Sequence, residues 1–264
     1  MTWILHTAAG VDEVNHHLAA LTAADMLGTV EVDGGTDVYV PQRVADLPIA
    51  GSWEHVADRD WHARWRERLT PVTAGRWVIT PSWLASGADD ELVIDPGQAF
   101  GTGHHETTAA CLRALDDVTV DGRAVLDLGT GSGVLAIAAA RRGAQPVVAV
   151  DTDPLAVAAA RDNARRNRAP VDVRHGDVEV VTGERFDVVV ANLDTATLTR
   201  LAPTARSLLA DGGILIASGV ANAHADTVAD ALRDAGLPAQ VTVGDEWCVL
   251  RARRTPTRQA SAHR

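Results

Sequence analysis

Residues 124–142, AVLDLGTGSGVLAIAAARR, constrain the fold of this chain more than any other stretch. A short apolar run reads as a strand over Ala124–Leu128, and an alanine-rich run reads as a helix over Gly133–Arg142. Between them lies a loop with glycine at every second position, Gly129, Gly131 and Gly133. Glycines let a backbone turn tightly and come close to a ligand, and a helix that starts there aims its free N–H groups at the same place. Strand, glycine loop and helix together are the opening unit of a doubly wound α/β sheet.

The rest of the C-terminal half repeats that alternation. Strands are expected at Pro146–Val150, Val171–Arg174, Val188–Val190, Gly213–Ser218 and Gln240–Arg251, and helices at Pro154–Arg166, Ala196–Leu209 and Asn222–Ala235. Short apolar strands separated by helices of ten or more residues predict a mostly parallel sheet covered on both faces. The N-terminal residues read differently. Thr2–Thr7 is a strand, Val11–Leu21 a helix, and Gly28–Val32 with Thr36–Val40 a hairpin turning through the Asp-Gly of VDGGT. Ser52–Leu69 is helix-like, with Trp61 and Trp65 on one face; a connector helix and an aromatic cage for a methylated ligand both fit. The expected division is a small domain over 1–51, a tryptophan-rich linker over 52–80, a large domain over 81–252 and a disordered tail over 253–264.

At 264 residues and 46% hydrophobic content the chain has the length and composition of a soluble protein with one full α/β domain and a smaller module. No apolar run approaches a membrane span and no export signal opens the chain, so a cytoplasmic protein with reduced Cys111 and Cys248 is expected. The net charge of −11 argues against direct nucleic-acid binding. Residues 1–60 carry ten acids against two arginines. That is a solvated acidic face or a docking face for a basic protein.

Four strand ends carry the chemistry. Asp127 precedes the glycine loop, where a carboxylate would repel a pyrophosphate but suit the ammonium of a methionine-like tail. With the departure from GxGxxG spacing, this favours S-adenosylmethionine over a dinucleotide, held at Gly129 and Gly131. Asp151 ends the next strand, 22 residues after Gly129, where an acid accepts bonds from ribose hydroxyls. Asp177 follows the third strand and suits either an adenine amino group or a turn. Asn192 follows the apolar run FDVVV, and its amide can orient an amine in line for methyl transfer. Ahead of them lies Asp95–Thr108, DPGQAFGTGHHETT. His104 there lines an acceptor pocket or serves the loop itself. Neighbouring His104, His105 and Glu106 point in different directions and no further ligand set has metal spacing, so no metal is expected.

These motifs, with VVAVDTDPLAVAAARDNARRN, FDVVVANL, DWHARWRERL and DEWCVL, resemble the bacterial ribosomal protein L11 methyltransferases (the PrmA family) across about residues 52–252. The resemblance implies a class I Rossmann-like methyltransferase domain behind a small α+β (ferredoxin-like) recognition domain of the short type. It implies S-adenosylmethionine as cofactor, S-adenosylhomocysteine as product, and methylation of the N-terminal amine and lysines of ribosomal protein L11. A monomer is expected apart from the resemblance, since nothing in the sequence reads out an oligomer. Carried over by motif, cofactor contacts fall on Phe100, Gly101, Thr102, Thr108, Gly129, Asp151 and Asn192. His104, Glu106 and Trp247 border the acceptor, although Trp247 also suits a strand-end core. Asp194 departs from the family pattern and is expected to accept a proton from the substrate or to mark a different acceptor. A same-fold enzyme acting on another protein or a metabolite, and a cofactor-binding docking protein without catalysis, are the competing readings.

Overall fold

The computed structural model describes residues 2–10, 13–14, 28–32, 34–43, 49–56, 70–95 and 105–256. The chain forms two units, Met1–Thr70 and Pro71–Arg264. The expected helix Val11–Leu21, apart from residues 13–14, lies outside the described residues, as do Trp61, Trp65 and residues 257–264.

In the first unit, β1 (Thr2–Thr7), β2 (Gly28–Val32), β3 (Gly35–Val40) and β4 (Ser52–Val56) make an antiparallel sheet in the order β2-β3-β1-β4. The central strand β1 pairs Leu5 with Val38 on one side and with Trp53 on the other. Leu5, Val14, Val38, Val40 and Ile49 form its small core. This is the strand order of the expected ferredoxin-like module. Its fourth strand, however, comes from residues read as the start of a helix. SWEHV alternates small or charged residues with aromatic ones at a period of two, which suits a strand with one face on the core. The small unit therefore runs past position 51, and the linker expected from Ser52 begins later.

The second unit opens with β5 (Val72–Ala74), β6 (Trp77–Thr80) and β7 (Glu91–Val93), a three-stranded sheet whose Trp77, Ile79 and Leu92 are buried in the unit's own core. Residues 71–80 are thus part of the large domain rather than linker. Then follow α1 (Glu106–Asp116), β8 (Val125–Leu128), α2 (Val134–Arg141), β9 (Val147–Asp151), α3 (Pro154–Arg166), β10 (Asp172–His175), β11 (Phe186–Asn192), α4 (Thr195–Leu208), β12 (Leu209–Ala221), α5 (Ala225–Asp234), β13 (Ala239–Val243) and β14 (Trp247–Arg253). Their seven strands make one sheet in the order β10-β9-β8-β11-β12-β14-β13.

Strand alternation explains why this sheet is buried on both faces. Val125, Val147, Ala149, Val188, Val190, Ile214 and Ile216 point into the core that α1, α2 and α3 cover. Their neighbours Leu126, Val148, Val150, Val189, Ala191, Leu215 and Ala217 point into the core of α4 and α5. Each fully buried Val, Leu or Ile contributes about 1.5–3 kcal/mol, so the continuous apolar runs fix the layers. Two expectations change here. Gln240–Arg251 is two antiparallel strands, because Gly244–Glu246 turns the chain and Gly244 N–H donates to the Trp247 carbonyl at 2.9 Å. The tail starts later than residue 253, since Arg254 pairs through its backbone with Gly212 and Gly213 and through its guanidinium with Asp211 at 3.1 Å. No described helix is long and apolar enough to cross a membrane.

Candidate active site

The sheet brings the expected residues to one edge. Parallel registry sets Leu128 beside Val150 and Ala191, His175 beside Asp151, and Asn192 beside Ser218. The glycine loop, Asp151, the Gly176–Asp177 turn and Asn192 therefore all leave the sheet at its carboxyl end. The chain runs from β8 outward to β9 and β10, then returns to β11 on the other side of β8. Such a reversal opens a crevice between the two central strands, where open α/β sheets bind ligands.

The glycine loop is pinned to the strand beside it. Gly129 and Thr130 N–H both donate to the Val150 carbonyl, at 2.9 and 3.1 Å, and Gly131 N–H donates to Asp151 Oδ2 at 2.8 Å. Gly129 has φ +69°, and a Cβ there would lie 2.3 Å from Leu193 Cδ2. Gly133, at φ +85°, caps α2, and its bare Cα lets α3 approach so closely that a Cβ would sit 3.1 Å from Ala160 Cα. Both positions need glycine for conformation and for space.

Beneath this loop Asp127 is fully buried. Its Oδ2 accepts from Thr130 Oγ1 at 2.6 Å and from Ala136 N–H at 3.1 Å, whereas its Oδ1 is buried with no partner. Burial pushes its carboxyl upward, the bonds from Thr130 and Ala136 pull it back, and the balance rests at about 6. At neutral pH the group is an anion with one oxygen left for a donor.

Asp151 stands half-buried at the rim, its Oδ2 on Gly131 and its Oδ1 accepting from Asp153 N–H at 3.0 Å. Asp153 caps α3 by accepting from Leu155 N–H at 2.8 Å, so the capping task falls on the neighbour and not on Asp151. Asp177 does serve a turn: it accepts from Val178 N–H at 2.7 Å and its other oxygen lies 3.5 Å from Arg200.

Across the crevice, α1 begins with His105, whose ring caps Thr107 N–H at 3.3 Å. One turn on, buried Thr108 accepts from Asn192 Nδ2 at 3.2 Å. That bond joins the DPGQAFGTGHHETT segment to the end of β11. It leaves Asn192 Oδ1 buried without a partner. Trp247, at the start of β14, meets the His105 ring edge-on with centroids 5.2 Å apart, and Glu106 Oε1 accepts from Asp245 N–H at 3.3 Å. Glu106 and Trp247, both expected at the border of the acceptor, thus belong to one cluster at the start of α1. Phe100, Gly101, Thr102 and His104 lie outside the described residues.

Asp194 is the N-cap of α4, with one oxygen on Thr197 N–H at 2.9 Å and the other on Thr197 Oγ1 at 2.7 Å. Partial burial works against its charge, yet these bonds outweigh it and hold the carboxyl below the usual range. A carboxylate so engaged is a poor proton acceptor, and the helix start explains its presence. Three other contributors went unassigned from sequence. Thr130 is visible in the motif, three residues after Asp127, and Leu193 follows Asn192, but only the fold puts them against Asp127 and Gly129. His105 was weighed only as a metal ligand.

The family model for ribosomal protein L11 methyltransferase (PrmA) matches residues 32–255. A ribosomal protein L11 methyltransferase of Thermus thermophilus is 38% identical over 251 residues, covering 94% of this chain and 98% of the relative. One from Deinococcus radiodurans is 39% identical over 258 residues, with 90% and 94% covered. Among solved structures, a ribosomal protein L11 methylase from Lactobacillus delbrueckii subsp. bulgaricus matches with a TM-score of 0.63 at 30% identity, over 68% of this chain and 95% of that one.

Proposed function

The chain belongs to the ribosomal protein L11 methyltransferase (PrmA) family, and from that premise we propose that it methylates nitrogen atoms of ribosomal protein L11, at the N-terminal amine and at lysine side chains, with S-adenosylmethionine as donor. The residues at the sheet edge fit such a donor. Asp127 offers a buried, unpartnered carboxylate oxygen to an ammonium, which a phosphate-bearing cofactor would not tolerate. Asp151 stands at the rim where ribose hydroxyls would be met, Asp177 at the turn where an adenine amino group would be, and Gly129 and Gly131 give the backbone its close approach. Phe100, Gly101, Thr102 and Thr108 join them by family resemblance. The donor supplies an electrophilic methyl group on a sulfonium; everything else falls to the protein.

The observation that carries the reading is the pairing of Thr108 with Asn192. Because Thr108 fixes the amide N–H₂, the carbonyl oxygen of Asn192 is held in one direction, buried and without a partner. A substrate amine that donates to this oxygen has its lone pair turned the other way, towards the methyl group. Alignment of that kind supplies much of the acceleration in a displacement. A lysine with an ordinary pKa near about 10.4 must first lose a proton. With Asp194 occupied as a cap, that proton goes to water. Glu106, His104 and Trp247 flank the acceptor, and the acidic first unit recognises the basic protein, in the cytoplasm where ribosomal proteins are made.

The test is mass spectrometry of purified L11 after incubation with the enzyme and S-adenosylmethionine. Methyl increments on the N-terminal residue and lysines are expected. An unmodified L11, with cofactor binding demonstrated, would transfer the chemistry to another acceptor.

A further inference from the structure

One face of α3 reaches two distant stretches of the chain. Asn163, Arg166 and Asn167 are spaced three and four residues apart and so share a side of the helix. Asn167 grips β7: its Oδ1 accepts from Val93 N–H at 2.8 Å and its Nδ2 donates to the Val93 carbonyl at 2.7 Å. Asn163 does something else. Its Oδ1 accepts from Asp95 N–H at 3.2 Å, and its Nδ2 donates to the Ser132 carbonyl at 2.9 Å. Asp95 is held further by Ser82 and by Arg166, whose guanidinium lies 3.1 Å from Oδ2.

Asp95 is the first residue of DPGQAFGTGHHETT and Ser132 lies inside DLGTGSG. The two are 37 positions apart, and Asn163 is 31 positions beyond the second. A side chain only 1% exposed thus joins the end of β7 to the glycine loop. An amide in that position costs desolvation that an apolar side chain would avoid, so its persistence needs both bonds. We propose that Asn163 is a positioning residue for the cofactor, tying the Ser132 carbonyl of the glycine loop to Asp95, just after β7, so that the loop is held in place for binding. The proposal rests on the functional reading above. Asn167 joins α3 to β7 through Val93 and bonds the Asn163 carbonyl, whereas Asn163 also reaches the glycine loop, and that difference is the handle for a test.

The experiment compares Asn163→Ala, Asn163→Asp and Asn167→Ala with the wild-type full chain. Binding of S-adenosylhomocysteine is followed by calorimetry, and amide exchange of Gly131 and Gly133 is followed in the ligand-free protein. Asn163→Ala is expected to weaken binding about tenfold, as loss of a buried hydrogen bond does, and to speed exchange of both glycine amides. Asn167→Ala should keep its affinity within about twofold despite a comparable loss of thermal stability. If Asn163→Ala does not fold, Asn163→Asp takes its place: it keeps the shape and the bond from Asp95, and replaces the donor to Ser132 by a carboxylate oxygen that repels that carbonyl. Equal effects at positions 163 and 167, or unchanged affinity and exchange at 163, would overturn the proposal. A wild-type chain that binds no S-adenosylhomocysteine would sink the functional reading instead, and the exchange comparison would still decide the tether.

Discussion

Thr108 and Asn192, 84 positions apart, meet through a 3.2 Å hydrogen bond that fixes which way the asparagine amide faces. Thr108 comes from the second residue of the helical turn after Glu106, and Asn192 from the last position of β11. Neither the helix nor the strand needs this bond for its own stability, since each end has backbone partners elsewhere. Its effect is to hold the carbonyl oxygen of Asn192 in one direction, buried and without a partner.

Removal of that oxygen should therefore damage turnover far more than folding. Asn192→Ala is expected to lower kcat/KM by about 10²–10³-fold, the usual cost of one preorganised polar group. Thr108→Val keeps the volume and loses the acceptor, so a smaller fall of about tenfold is expected. Initial rates on L11 beside melting curves check this. Full activity in Asn192→Ala would move the amine-orienting role to another residue.

Asp127 should trade stability for binding. Its carboxyl titrates at about 6 in the folded chain against 3.8 for an ordinary aspartate. The folded state then holds the proton more tightly than the unfolded chain does, so this group's contribution falls as pH rises from 3.8 to about 6 and is level above. Asp127→Asn removes the buried charge but leaves a new N–H₂ to be satisfied. A net gain of about 1–2 kcal/mol at pH near 8 is expected, or roughly 2–6 °C in Tm. Cofactor affinity should fall in the same variant, and in the wild type should weaken as pH drops below about 6. Calorimetry and melting across that range give both readings; a variant that binds normally would remove Asp127 from the cofactor.

Asp194 offers a clean separation of cap from base. Asp194→Asn retains a good capping side chain, and stability and turnover should both stay near wild type. Asp194→Ala loses the bonds to Thr197 and should cost about 1 kcal/mol of stability, with an unaltered pH–rate profile. Were the carboxylate the proton acceptor, Asp194→Asn would lose turnover while still melting like the wild type.

Much of the large domain was legible because its strands are buried on both faces. Runs such as Val188–Ala191 have no polar member to mislead, and each is followed by a helix with a readable start. Sites at strand ends come with the fold, which is why Asp127, Asp151, Asp177 and Asn192 converge. The failures share a cause: one residue pattern had two physical uses. SWEHV beside a tryptophan-rich stretch passed for helix, although pairing of Leu5 with Trp53 shows the period-two reading. Asp194, two positions after Asn192, suits both an acceptor site and a helix start, and the bonds to Thr197 show the second use. Links such as Asn163 to Ser132, or Leu193 over Gly129, depend on which distant backbone comes within reach, and spacing along the chain carries no such information.

His6 gives the small unit a pH dependence of the same sign as that of Asp127, stability lost as pH rises, but in a higher pH window. Its side chain lies on β1 between its two neighbours, with Nδ1 2.7 Å from Asp37 Oδ1 on β3 and Nε2 3.1 Å from Glu54 Oε2 on β4. Partial burial alone would depress the imidazole, but the bonds to both carboxylates prevail and raise it above 6.5. A raised folded value means that the protonated ring stabilises the sheet fully below 6.5, and that this contribution is lost as pH climbs through the folded value. The side chain is more than a third exposed, so solvent screening keeps the effect modest. Hydrogen exchange of the β1 amides in the full chain should therefore quicken, beyond its intrinsic base catalysis, between pH near 6 and pH near 8.5. Glu54→Gln should flatten that change by removing one of the two partners while leaving the buried Asp37 paired. An equal pH response in wild type and Glu54→Gln would mean that the bridge from β1 to β4 does not contribute, and that Asp37 alone sets the response of the imidazole.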